Sequence, residues 1–214
     1  MANAKSIFST VVVLFLLVGL PAISFYYLRT GFTYRKEAIM TQGDFGKMPD
    51  LSALTRVQGT LPDNLRGSMA VVGWLDPTKQ EATRVYGHMM DSLYQQFADS
   101  PNLHFTTIVL SKDPDQTVNE FTQTYHLPEA PMLSFVRADA TAFQRSASDF
   151  QLPLSQYDAP GTEPIVALVD SSQTIVKHYN LARRDETIGL VQLISVIIPL
   201  PEKQDLILDR GREL

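Results

Sequence analysis

Residues Ile7–Leu28 read IFSTVVVLFLLVGLPAISFYYL, without one charged side chain. As a helix these 22 residues extend about 33 Å, against roughly 30 Å for the hydrocarbon core of a bilayer. The chain therefore divides into an apolar anchor and whatever folds behind it. Phe25, Tyr26 and Tyr27, then Arg29, supply the aromatic and basic edge expected at an interface, and Pro21 is placed to kink the last turn. The run is long for a signal peptide, and no Ala-x-Ala site follows it, so an uncleaved anchor is expected. Lys5 and the amino terminus lie on one side and three basic residues on the other. The short leading segment favours the amino terminus inside, with the domain outside the cytoplasm on the periplasmic face of an inner membrane.

Charge is unevenly spread. Residues 1–40 carry Lys5, Arg29, Arg35 and Lys36 against Glu37, a net +3, while the rest carries 14 basic and 22 acidic side chains, a net −8. An acidic domain argues against a nucleic-acid partner, which would require clustered Lys and Arg. There is no cysteine among the 214 residues, which excludes disulfides, thiolate nucleophiles, Cys-zinc sites, iron–sulfur clusters and c-type haem attachment.

The expected organisation is an anchor at 1–28, a linker at 29–48, a domain at 49–198 and a tail at 199–214. Leu51–Val57 and Thr60–Leu65 suggest an opening hairpin about Gly59. Ser68–Leu75 has the continuous apolar character of a strand buried on both faces. Asp76-Pro77 reads as a helix start with Asp at the N-cap and Pro at the first helical position. Ala82, Val85, Tyr86, Met89, Met90, Leu93, Tyr94 and Phe97 then mark one helical face. Leu103–Leu110 is a second strand. Asp113-Pro114 repeats the start signal, with Gln116 completing a capping box, and Pro131–Val136 is a third strand. Residues 138–160 are polar and poorly patterned, an irregular excursion with a short helix. Pro164–Val169 and Thr174–Tyr179 flank a turn at Asp170–Gln173, and a last helix from Asp185 carries Ile188, Val191, Ile194 and Ile197. Strands alternating with helices, closed by a hairpin and a helix, give an α/β fold with a parallel centre and an antiparallel edge.

That order is the thioredoxin order, a three-layer sandwich here preceded by one transmembrane helix. Several local motifs resemble the SCO/SenC branch: Pro49-Asp50-Leu51, then Leu65-Arg66-Gly67-Ser68 and the strand Val71–Leu75, then Lys112-Asp113-Pro114, and Leu168-Val169-Asp170 in the closing hairpin. The resemblance covers about residues 49–198. It implies the family's setting, copper delivery and thiol reduction during cytochrome oxidase assembly, from a domain anchored by one N-terminal helix. Asp76-Pro77-Thr78-Lys79-Gln80 falls on the family's C-P-x-x-C segment, so Asp76 and Gln80 stand where the cysteines would be. Thr162, within Gly161-Thr162-Glu163, falls near the copper-binding histidine. All three ligands are missing, and the resemblance is to a divergent member.

The remaining polar residues form no replacement constellation. Asp76 is readable as a cap or as a general base, and the Asp-Pro start suffices for the first. His88 with Met89 and Met90 invites a Cu(I) reading, because thioethers are soft ligands, yet the two methionines lie on the apolar stripe. His104 and His178 lie within strands, and His126 ends a helix. Asp113 and Asp115 sit at a helix start, where carboxylates cap. Trp74, the only tryptophan, reads either as a packed strand residue or as an anchor on a docking surface. Leu206–Leu208 in the tail are free to pack on the domain or on another subunit.

The expected function is a non-catalytic, membrane-anchored interaction module without a cofactor. It would be an accessory or assembly factor of a respiratory oxidase, with Trp74, Asp76, Pro77, Gln80 and Thr162 marking the vacated site and a candidate docking face. The alternative is a copper chaperone using Met and His.

Overall fold

The computed structural model describes residues 12–40, 43–59, 67–153 and 159–198, and within its first helix the side chains of 12–31. It has two compact units, Met1–Gln42 and Gly43–Leu214.

In the first unit, Val12–Gly31 is helical, apolar and long enough to cross a membrane. A π-helical turn at Phe15–Gly19, with the Leu20 N–H bonded to the Phe15 carbonyl, precedes α1 (Leu20–Met40). A single π-turn shifts the hydrogen-bond register just ahead of Pro21, which has no N–H to donate. The linker expected at 29–48 is replaced over 29–40 by helix. Arg29, Arg35, Lys36 and Glu37 end the apolar run but do not break a helix, and no proline follows until Pro49. Residues 43–48 belong to the second unit, so the domain begins earlier than the expected residue 49.

The second unit is built on a six-stranded sheet in the order β1-β4-β3-β2-β5-β6. Its strands are β1 (Thr55–Gln58), β2 (Met69–Leu75), β3 (Leu103–Leu110), β4 (Leu133–Ala138), β5 (Ile165–Val169) and β6 (Ile175–Asn180). β2, β3 and β4 run parallel, and β5 and β6 add antiparallel on one side. β1 of the expected opening hairpin pairs antiparallel with β4, Arg56 opposite Val136, and its expected partner Thr60–Leu65 lies outside the described residues. The closing hairpin forms as expected. Asp170 turns it by accepting from the N–H groups of Ser172 and Thr174, both at 2.9 Å.

Helices α2 (Gln80–Phe97) and α3 (Pro114–Thr124) cover one face of the sheet. Tyr86 of α2 bonds the Thr107 hydroxyl at 2.8 Å, and Phe121 of α3 stacks edge-on against Phe135. Helix α5 (Arg184–Ile197) lies on the same side, its Gly189 against Tyr179, which pairs with Val166 and through it with Gly73 beside Tyr86. Helix α4 (Ala140–Asp149) covers the opposite face. The result is a three-layer α/β sandwich.

The short helix expected within 138–160 forms, and the phase expected for the last helix does not hold. Residues 140–149 are a regular helix, capped by Asp139, whose carboxylate accepts from the Ala142 N–H at 2.8 Å. Its apolar stripe is only Phe143, Ala147 and Phe150, all fully buried. On α5 the buried residues are Leu190, Leu193 and Ile194, and Ile188 is exposed. That helix is apolar on most sides, so its spacing does not fix which side turns inward.

Candidate functional site

The central strand β2, buried along its whole length, ends at Leu75 and delivers Asp76 to the sheet's carboxyl edge. The chain then turns tightly. Asp76 Oδ1 accepts from the Thr78 N–H at 3.0 Å and from the Thr78 hydroxyl at 2.7 Å. The Asp76 carbonyl accepts from the Lys79 N–H at 2.9 Å and the Thr83 hydroxyl at 3.0 Å. This is an Asx turn, in which the side chain bonds its own backbone two residues on.

Asp76 is therefore not the helix cap that the sequence suggests. Helix α2 starts at Gln80, its N-cap position is Lys79, and no side chain caps it. The same dipeptide behaves as expected at Asp113-Pro114: Asp113 accepts from the Gln116 N–H at 3.2 Å, and Pro114 opens α3. The difference lies two residues on. Thr78 offers both an N–H and an O–H to the carboxylate, whereas that position after Asp113 holds Asp115. The reciprocal half of the Asp113 capping box is also absent. Ser111 Oγ accepts from the Asp113 N–H at 3.1 Å, and Gln116 instead donates to Glu120.

The facing wall is the turn Ala159–Glu163. Gly161 has φ +80°, and a Cβ there would lie 2.8 Å from Asp76 Cβ and 3.2 Å from the Asp76 nitrogen. The two segments thus lie side by side, pressed together with backbone against side chain. Thr162 is half-buried, and its hydroxyl donates to the Ala159 carbonyl at 2.5 Å. Glu163 accepts from the Asn180 amide, and the Asn180 N–H donates to Glu186 at 2.6 Å.

Trp74 is no docking anchor. It is 2% exposed, its indole N–H donates to Ser146 Oγ at 2.9 Å, and its ring meets Phe150 edge-on at 5.2 Å. An inward-facing position near the end of a fully buried strand gives the indole no route to solvent. The accessible rim is left to Thr78, Lys79 and Gln80, which are exposed, with Pro77, Thr162 and Glu163 half-buried.

The candidate copper ligands do not converge. Met90 is in the core, Met89 is half-buried, and His88 is exposed with its ring edge-on to Tyr125. Among the described residues no group of three or more His, Asp or Glu is placed to hold a metal ion. His104 sits half-buried on β3, and burial holds it below the usual histidine range.

One feature escaped the sequence reading, a cleft of about 410 Å³ along the outer edge of β6, between Pro153 and the first turn of α5. His178 lines it, its Nε2–H donating to the Phe150 carbonyl at 2.9 Å, and burial holds that imidazole below its usual range. Tyr179 also lines it, its hydroxyl pushed upward by burial and then by the charge of Glu186. The available signal was a Lys177-His178 pair inside an otherwise apolar strand.

No family model and no curated protein matches the chain. Solved structures do match. A candidate protein disulfide isomerase from Bacteroides thetaiotaomicron is 14% identical, with a TM-score of 0.55 over 73% of this chain and 90% of that one. BsSco, a member of the Sco family of cytochrome c oxidase assembly proteins with a disulfide switch, is 12% identical, with a TM-score of 0.52 over 72% and 96%. A candidate electron transfer protein from Aquifex aeolicus VF5 is 10% identical, with a TM-score of 0.51 over 72% and 98%. At these identities the likeness is one of fold: the domain is thioredoxin-like, and a Sco-family protein is among its structural neighbours.

Proposed function

We propose that this chain is a membrane-anchored interaction module of Sco-like fold, retained as an accessory or assembly factor of a respiratory oxidase rather than as a catalyst. The observation that carries this reading is the state of the vacated site. Asp76 stands at the first thiol position of the resembling family, folded into its own turn, with the Gly161 backbone against its Cβ. Such a carboxylate supports a loop and leaves little room for a substrate. Val12–Gly31 supports the anchor, and the partner class comes from the likeness to BsSco.

Docking is assigned to the rim of Pro77, Thr78, Lys79, Gln80, Thr162 and Glu163, mostly polar side chains on two short turns and the first residue of α2. The anchor confines the domain to diffusion in two dimensions, so modest contacts gain effective concentration. Cross-linking mass spectrometry on native membranes tests the assignment. Links from Lys79 to an oxidase subunit or a co-assembling membrane protein, weakened by Gln80→Arg, are expected. Links confined to residues 1–40 or to the tail, with Gln80→Arg harmless, would reject this face. Stoichiometric Cu(I) binding lost on Met89→Leu with Met90→Leu would replace the whole reading with a copper chaperone.

A further inference from the structure

After Glu186 no charged residue remains in helix α5, whose residues 187–198 read TIGLVQLISVII on the surface of an acidic domain. Leu190, Leu193 and Ile194 form its buried side. The opposite side carries Ile188, Gln192 and Ser195, all exposed, with Val191 and Val196 half-buried on either flank and Ile198 half-buried at the end. Ile188 is 44% exposed, and outside the membrane helix it is the only large apolar side chain left exposed among the described residues. Ser195 adds no free donor here, because its hydroxyl turns back onto the Val191 carbonyl at 2.8 Å.

We propose that residues 202–209 of this same chain fold back along α5 and cover this side, with Leu206 seated on Ile188.

The sequence after α5 has the direction, the reach and the chemistry. Pro199 and Pro201 follow the helix, and a residue before proline is pushed out of the helical region. Ile198 accordingly has ψ 126°, so the chain leaves the helix axis there. Ile188 lies ten residues before Ile198, a distance of about 15 Å at 1.5 Å per residue. With residues 199–201 spent on the turn, an extended chain regains that distance in about five residues at about 3.3 Å each, which brings Leu206 level with Ile188. Leu206, Ile207 and Leu208 are the one apolar run in residues 199–214. In an extended segment Leu206 and Leu208 share one side and Ile207 takes the other. The size of the face favours this occupant. A handful of part-exposed side chains falls well short of the roughly 800 Å² per partner that a stable interface between two copies buries. A segment tethered to the end of the same helix needs no such area, because its effective concentration there is already in the millimolar range.

The chain has no cysteine, so an engineered pair reads the contact without interference. Ile188→Cys with Leu206→Cys is oxidised mildly in the full chain in lipid nanodiscs, and Ile188→Cys with Ile207→Cys serves as the control. A disulfide needs Cβ atoms about 4 Å apart, so the first pair is expected to close within one molecule several-fold faster than the second. Equal rates for the two pairs would overturn the fold-back, and so would closure only between molecules, which gives the face to a second copy. Bimane on Ser195→Cys supplies a readout that needs no cross-link. Shielding from aqueous iodide, lost in Leu206→Asp with Leu208→Asp, supports the proposal. Shielding unchanged in that variant, or quenching by spin-labelled lipid, rejects it, the latter in favour of the bilayer. Ile188 and Ser195 are both exposed, so these substitutions leave the core intact, and Trp74 fluorescence verifies the fold of each variant.

Discussion

Replacing Gly161 by alanine measures how tightly the vacated site is closed. Two costs combine. Gly161 has φ +80°, where a Cβ is disfavoured by roughly 1–2 kcal/mol. The new methyl would also lie 2.8 Å from Asp76 Cβ, 3.2 Å from the Asp76 nitrogen and 3.3 Å from Phe143 Cζ. These neighbours are a Cβ and a backbone atom on a central strand's end and a buried ring, so none yields cheaply, and overpacking of this kind costs about 1–3 kcal/mol. The expected loss is therefore about 2–5 kcal/mol. Gly67→Ala is the control: its φ is +91°, and a Cβ there meets nothing within 4 Å, so only the backbone cost remains. The difference between the two variants, about 1–3 kcal/mol, isolates the packing of Gly161 on Asp76. Urea unfolding followed by the fluorescence of Trp74, the only tryptophan and a buried one, reads both variants. Losses equal to within about 0.5 kcal/mol, at equal denaturant slopes, would show that the site is open enough to accept a methyl and would refute the closed-site argument.

Asp76→Asn should be nearly neutral, because the amide oxygen can accept both Thr78 bonds, whereas Asp76→Ala should cost about 1–3 kcal/mol in the same unfolding assay. If Asn disturbs complex assembly in cells at unchanged stability, the carboxylate binds something. Stability should also fall on mild acidification. His104 and His178 are both held below their usual range by burial, so the unfolded chain binds protons first. Their contribution is complete above the unfolded value near 6.5 and is lost as pH falls from there through the folded values. Urea midpoints should drop over that interval, and less so in the double variant His104→Gln with His178→Gln; an unchanged slope there would assign the effect elsewhere.

The sheet was legible in the sequence because β2 and β5 are continuous apolar runs, β3 and β4 are largely so, and the closing hairpin is punctuated by Asp170. What was not legible depends on competition between neighbours. Asp76-Pro77 and Asp113-Pro114 carry the same signal, and only the residue two positions on decides whether the carboxylate caps a helix or closes a turn. Helix α4 was expected only as an unplaced short helix, because three apolar residues suffice to bury it when Phe143 and Phe150 are among them. The phase of α5 was ambiguous because apolar residues surround it. Strand β1 pairs with β4, some 80 residues away, and no local pattern encodes that pairing. Trp74 had two readings, and burial of the entire strand selects the packed one.

At the end of its central strand this thioredoxin-like fold carries a turn unlike the one a reactive thiol needs. A reactive thiol at such a position depends on an accessible side chain set close to the first turn of a helix, where backbone N–H groups and the dipole favour the thiolate. Here both conditions are undone separately. The helix begins only at Gln80, so Asp76 stands four residues ahead of it and bonds to Thr78 rather than to the first-turn amides. On the other side Gly161 lies against Asp76 Cβ, closing the approach from the facing turn. The strand and the helix are held deeper in the molecule, by Trp74 on Ser146 and Phe150 and by Tyr86 on Thr107, and the facing turn is held by Asn180 donating to Glu163. The residues at the surface of the site are thereby held by bonds within their own turn, with the Asp76 carboxylate engaged by Thr78 and its Cβ covered by Gly161.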